Sequence, residues 1–197
     1  PESPDALNPT VRIANELLSA AITLRKVGEN PAGGNPLPLS GIAFGLFRPG
    51  DDVLSVPPVA RATSDENGYV RFTGIVWGDY IVYELAPKAG YLPLGSGIPV
   101  SLTPNGENLL PDLDLSGMPV ENALIRAKIT MQKLGEQPTG GTAPLADGLF
   151  SIYAVGDTEF ANPIEANVAP DAAGVVTFEG LLPGTYVIRE VEAGTGY

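Results

Sequence analysis

Cysteine and histidine are both absent from the 197 residues of this chain. It therefore holds no disulfide, no thiolate nucleophile, no histidine general base and no ordinary zinc site. Basic residues are scarce: 11 Lys and Arg stand against 23 Asp and Glu, a formal charge of −12. That balance opposes binding to nucleic-acid phosphates or to anionic lipid. No apolar run approaches the roughly 20 residues of a membrane span. Pro1–Leu7 has neither the basic nor the apolar part of a signal peptide, so the chain reads as an internal or mature piece of a longer protein. Helix-type apolar spacing over ten or more residues is also hard to find.

What the chain has is punctuation. Its 24 Gly and 20 Pro are set among 44% apolar residues, enough for a core. Runs of five to eight residues rich in Val, Ile, Thr and Tyr end at Gly, Pro, Asn or Asp. This pattern predicts an all-β fold of many short strands.

The chain also repeats itself. NELLSAAITLRK from Asn15 aligns without gaps to NALIRAKITMQK from Asn122, an offset of 107 residues. KVGENPAGG from Lys26 matches KLGEQPTGG from Lys133. One residue is then lost in a loop, and the register holds through Gly68 and Gly174, Phe72 and Phe178, Tyr80 and Tyr186, Glu84 and Glu190, and Tyr91 and Tyr197. The repeat predicts three pieces: residues 1–20 as the terminal strand of a preceding unit, 21–125 as a complete unit, and 126–197 as a second unit lacking its last strand. Only about two residues separate one unit's last strand from the next unit's first, which favours stiff end-to-end stacking into a rod.

Strand parity places polar residues on inward faces. Ile22, Leu24 and Lys26 share a face, as do Ile129, Met131 and Lys133 one repeat later. Tyr80, Val82 and Glu84 share another, matched by Tyr186, Ile188 and Glu190. In the closing strand Asn122 lies between Val120 and Leu124, as Asn15 lies between Ile13 and Leu17. Singly, a Lys or Glu near a strand end snorkels to water and an Asn caps a turn. Jointly they need a partner, because an unpaired buried ion costs several kcal/mol. A salt bridge is one solution. A covalent bond is the other: burial lowers a lysine pKa and raises a glutamate pKa, so a close pair can exchange a proton and leave a neutral, nucleophilic amine. The protonated Glu can then polarise the Asn carboxamide while the amine attacks and ammonia leaves, a single-turnover step that calls for no cofactor.

ITLRK, PLSGIAFGLF, SDENGYVRFTGI, GDYIVYELAPKAGY and the closing VEN together resemble the Cna B-type (prealbumin-like, or pilin-like) domains of Gram-positive surface proteins. ITMQK, PLADGLFSIY, DAAGVVTFEGL and PGTYVIREVEAGTGY repeat the set. The resemblance implies tandem immunoglobulin-like sandwiches of about seven strands each, with Lys26 as nucleophile, Asn122 as acceptor and Glu84 as catalytic acid. In the second unit Lys133 and Glu190 match, whereas Asn162 and Asn167 fall in an expected loop and do not. The resemblance further implies a cell-wall-attached stalk or pilus on a Gram-positive bacterium, with neighbouring repeats as partners. LPLGS at Leu92–Ser96 is not a sortase signal, and no pilin lysine motif is visible. An adhesive module contacting a host matrix protein or glycan is the competing reading. Trp77 and the Pro-rich loop at Val56–Val59 are its only candidates, and Trp77 reads better as a packing residue. Finally, Asn15 lies in a copy of the strand the second unit lacks. Two expectations follow: a second unit left open or partly ordered because the sequence is cut there, or head-to-tail donation of that strand between molecules with Lys133 bonding to Asn15.

Overall fold

The computed structural model describes residues 15–107 and 109–197, and no helix occurs among them. The chain folds as two compact units, the first ending at Asn122 and the second running from Ala123 to Tyr197. Two short segments, Pro31–Gly33 and Ala89–Leu92, group with the second unit. Ala89–Leu92 does so through backbone bonds to Ala123–Ile125: Leu92 donates to Ala123 O and Ile125 donates to Gly90 O, both at 2.8 Å.

The first unit holds β1 (Ser19–Gly28), β2 (Leu37–Pro38), β3 (Ala43–Phe47), β4 (Ala60–Thr63), β5 (Tyr69–Val76), β6 (Gly78–Glu84), β7 (Ile98–Leu102), β8 (Leu113–Asp114) and β9 (Val120–Asn122). β1 is the hub of one sheet, in order β2-β1-β5, with β8 and β9 pairing parallel to it. The other sheet runs β4-β3-β6-β7. Ile22, Leu24, Val70 and Phe72 from the first sheet are buried, as are Phe44, Leu46, Tyr80, Val82, Val100 and Leu102 from the second. Each large apolar side chain so buried stabilises the sandwich by about 1.5–3 kcal/mol. Alternation of apolar and polar residues along β5 and β6 sets which face turns inward.

The second unit repeats the pattern with β10 (Ala127–Gln132), β11 (Leu134–Glu136), β12 (Thr142–Pro144), β13 (Leu149–Ala154), β14 (Glu165–Val168), β15 (Val175–Leu181) and β16 (Tyr186–Glu192). Phe150, Ile152, Val176, Phe178 and Leu181 form its core, with Ile129, Met131 and Ile188 packed against it. Its pairings are β10-β15, β11-β12 and β14-β13-β16. Among the described strands nothing covers the edge of β10 opposite β15, where β1 of the first unit carries β8 and β9.

Two expectations need correction. Trp77 is 53% exposed and is not a packing residue. Asn167 lies in β14, not in a loop, at φ 58° where the pairing with β13 shifts register; its N–H donates to the buried Ser151 Oγ at 3.1 Å.

Candidate functional site

A repeated turn sets the position of the first lysine. In the first unit Asp65 Oδ1 accepts from Asn67 and Tyr69 N–H at 2.9 and 2.8 Å, and Gly68 N–H donates to Asp65 O at 3.0 Å. Gly68 adopts φ +82°, a region open to glycine at little cost. Its carbonyl then accepts from Lys26 N–H at 2.6 Å. Any Cβ at Gly68 would stand 2.2 Å from Lys26 O, so the turn and the lysine backbone fit together only with glycine there. The second unit builds the same turn with Asp171 and Gly174, and Lys133 N–H donates to Gly174 O at 2.7 Å.

The site converges from three strands. Lys26 ends the inward stripe of β1 and is wholly buried, Glu84 ends that of β6 with its side chain 1% exposed, and Asn122 of β9 is 2% exposed. Lys26 Nζ lies 3.7 Å from Glu84 Oε1 and donates to Val120 O at 3.2 Å. The same Glu84 oxygen accepts from Asn122 Nδ2 at 2.7 Å, and Glu84 Oε2 accepts from Leu94 N–H at 3.1 Å. Glu84 thus bridges the amine and the carboxamide. β9 runs parallel to β1 with Lys26 opposite Val120 and Gly28 opposite Asn122, which puts the two side chains on one face, two residues apart in register. Asn122 Oδ1 is buried with no hydrogen-bond partner.

Desolvation holds the Lys26 amine below its ordinary pKa of 10.5, and the attraction of Glu84 and, more weakly, Glu121 only partly opposes it. The site therefore shifts its lysine toward the neutral form. No cluster of His, Cys, Asp or Glu able to hold a metal occurs among the described residues.

The sequence pattern brought Lys26, Glu84 and Asn122 to one place. It gave no sign of the Leu94 N–H or the Val120 carbonyl, because backbone groups carry no sequence signature. Gly68 was findable: it and Gly174 occupy the same repeat position.

In the second unit Lys133 Nζ binds Glu190 Oε1 at 2.6 Å, and these side chains are 17% and 33% exposed. Lys133 also stands over the Phe150 ring at 5.7 Å. Asn162 and Asn167 make their contacts elsewhere, with Asp157 and Ser151. Asn15 is exposed and lies outside every strand, so it joins neither site; Ile13 and Ala14 lie outside the described residues.

Two antiparallel-rich β-sandwich units, each with a lysine at the C-terminal end of the inward stripe of its first strand or directly after it, define a prealbumin-like fold. A family profile, SpaA prealbumin-like fold domain, matches residues 20–110 and again 127–197. The chain belongs to that family. Among solved structures it is similar to the Bacillus anthracis TIE protein at 20% identity and a TM-score of 0.63, over 91% of this chain and 29% of that one. It thus spans under a third of the TIE chain. It is also similar to GBS52, the minor pilin of Streptococcus agalactiae, at 18% identity, TM-score 0.37, over 91% of this chain and 86% of that one. The shaft pilin SpaA of Lactobacillus rhamnosus GG shows 15% identity and a TM-score of 0.39, over 91% and 90% of the two chains. At these identities the likeness concerns the fold alone. No curated protein matches the chain by sequence.

Proposed function

We propose that this chain is a structural segment of a Gram-positive surface stalk or pilus, made of tandem repeats, in which the first unit staples itself with an isopeptide bond. The observation that carries this reading is the fully buried Lys26 beside Glu84, which in turn holds the Asn122 carboxamide. A buried ion pair alone is weak support for stability. The same three groups are better accounted for as reactants.

The chemistry balances without a further reagent. Lys26, whose ammonium form is disfavoured by desolvation, passes a proton to Glu84, leaving a neutral amine and a neutral acid. The carboxamide turns over so that Oδ1, which has no partner as it stands, faces Glu84; the protonated Glu84 then donates to Oδ1 while the amine nitrogen attacks Asn122 Cγ. The new Nζ–Cγ bond forms as the Cγ–Nδ2 bond breaks, and Glu84 shuttles a proton from the attacking nitrogen to the departing one. Ammonia leaves. The result is an amide between β1 and β9, serving as a disulfide would in a chain without cysteine, and not reducible.

Intact mass tests this directly. One bond lowers the mass by the ~17 Da of ammonia, as condensation of an amine with a carboxamide requires. Glu84→Ala should restore the full mass, and an unshifted mass in the unaltered chain would refute the bond.

A second reading, an adhesive module for a host matrix protein or glycan, is favoured by one observation. Trp77 and Leu54 stand 53% and 93% exposed on the first unit. Binding to immobilised matrix protein that is lost in Trp77→Ala and Leu54→Ser variants would support it.

A further inference from the structure

Glu84 has two carboxyl oxygens, and the first unit gives them different neighbours. Oε1 lies 3.7 Å from Lys26 Nζ and accepts from Asn122 Nδ2 at 2.7 Å, so it faces both reacting groups. Oε2 accepts from Leu94 N–H at 3.1 Å, in the connection between β6 and β7. The Glu84 side chain is 1% exposed, so bulk water does not stand in for that donor. A carboxylic acid carries its one proton on one of its two oxygens. An N–H aimed at Oε2 is best met by an oxygen that only accepts. Protonated Glu84 therefore holds its proton on Oε1, where the amine and the carboxamide are.

The loop that carries Leu94 is held by fit. Residues 93–97 read Pro-Leu-Gly-Ser-Gly. A Cβ at Gly97 would stand 2.3 Å from Ile81 Cγ2 and 2.7 Å from the Tyr83 ring. Only glycine lets the chain lie this close to β6 as it enters β7. Ile81 and Tyr83 occupy the face of β6 opposite Val82 and Glu84. One face of the strand thus presents the carboxyl group while the other seats the loop that supplies its donor.

We propose that the Leu94 amide is a positioning group for the bond-forming step: by occupying Oε2 it makes Oε1 the oxygen that takes the proton from Lys26 and hands it to Asn122. The inference rests on the Lys26–Asn122 reading. Lys26 enters as an ammonium with three hydrogens and ends as an amide nitrogen with one. Of the two given up, one departs with Nδ2 as ammonia and the other stays on Glu84. Both pass through Oε1. Without the Leu94 N–H the carboxyl group is free to turn about its last bond and point its proton away from either reactant. The loss falls on the rate of the step and leaves its product the same.

The test replaces one atom group in the full chain. An ester oxygen in place of the Leu94 N–H, introduced with the α-hydroxy acid analogue of leucine, removes the donor and keeps the side chain. Loss of ammonia, followed by intact mass from the moment of cell-free synthesis, should slow about 10- to 100-fold, the worth of a hydrogen bond to a charged acceptor. Leu94→Pro removes the same N–H and should slow it likewise. An ester at Ser96, exposed in the same loop, should leave the rate unchanged. The Leu94 amide proton gives a second readout, by NMR in an Asn122→Ala chain that cannot react. Its resonance should lie downfield and move upfield when Glu84→Ala is added, a response that packing of the loop alone would not produce. An unslowed Leu94 ester in a chain that otherwise loses ammonia overturns the positioning role and leaves the bond standing. Equal slowing by the Ser96 ester, or an amide resonance indifferent to Glu84→Ala, does the same. An unaltered chain that loses no ammonia overturns the first-unit reading and the positioning with it.

Discussion

Lys26 is a lysine placed where charge is costly, and its titration should show it. An Asn122→Ala variant cannot form the bond and keeps Lys26 as an amine. Because desolvation lowers the folded pKa below 10.5, the unfolded chain binds more protons than the folded one between the two values. Stability therefore rises with pH across that window and levels off above 10.5. The urea midpoint of Asn122→Ala should climb as pH approaches that value, and the climb should vanish when Lys26→Met is added. In the bonded chain Lys26 no longer titrates and this dependence is absent. Trp77 is the opposite case, a large apolar residue left in water. Trp77→Ala should change stability by less than about 0.5 kcal/mol, measured by the same unfolding curve, and a larger loss would show that its ring packs after all.

At the scale of elements, the Asp65–Tyr69 turn is what aims β1. Gly68 and Gly74 both have positive φ, but a Cβ at Gly74 meets open space whereas one at Gly68 meets the Lys26 carbonyl. Gly74→Ala should therefore cost only the backbone strain of about 1–2 kcal/mol. Gly68→Ala adds a backbone clash and should cost about 3 kcal/mol or more, with slowed or abolished loss of ammonia as β1 shifts. Chemical denaturation and intact mass read the two effects separately. A second tie acts at the start of β1. Asp112 Oδ1 accepts from Ala21 N–H at 2.7 Å, and that bond, aided by Arg71, holds its carboxyl below the usual carboxylate range. The stabilisation is present above the ordinary Asp pKa and fades as pH falls through the lowered one.

For the whole molecule, the proposed bond would matter through the length it encloses. Cross-linking Lys26 to Asn122 closes a loop of nearly a hundred residues, for which chain entropy gives up to about 4.7 kcal/mol. Glu84→Ala should lower the unfolding transition of the first unit accordingly. Phe178→Ala should instead act on the second unit, where removing a fully buried ring from the core costs about 3–5 kcal/mol. Scanning calorimetry of the two variants should show different transitions moving. If Glu84→Ala left the first transition in place, the staple would contribute nothing to stability.

Sequence by itself determined the β character, the repeat, and the inward placing of Lys26, Glu84 and Asn122. These follow from a period of two along each strand, which assigns faces without reference to neighbours. Face is all that such a period assigns. It does not say which strand lies beside which edge, so the parallel seat of β9 on β1 and the exposure of Trp77 were decided by tertiary structure. The same limit explains Lys133 and Glu190. They hold the repeat positions of Lys26 and Glu84, yet their side chains are 17% and 33% exposed where those of Lys26 and Glu84 are 0% and 1%, and a period of two does not distinguish the two pairs.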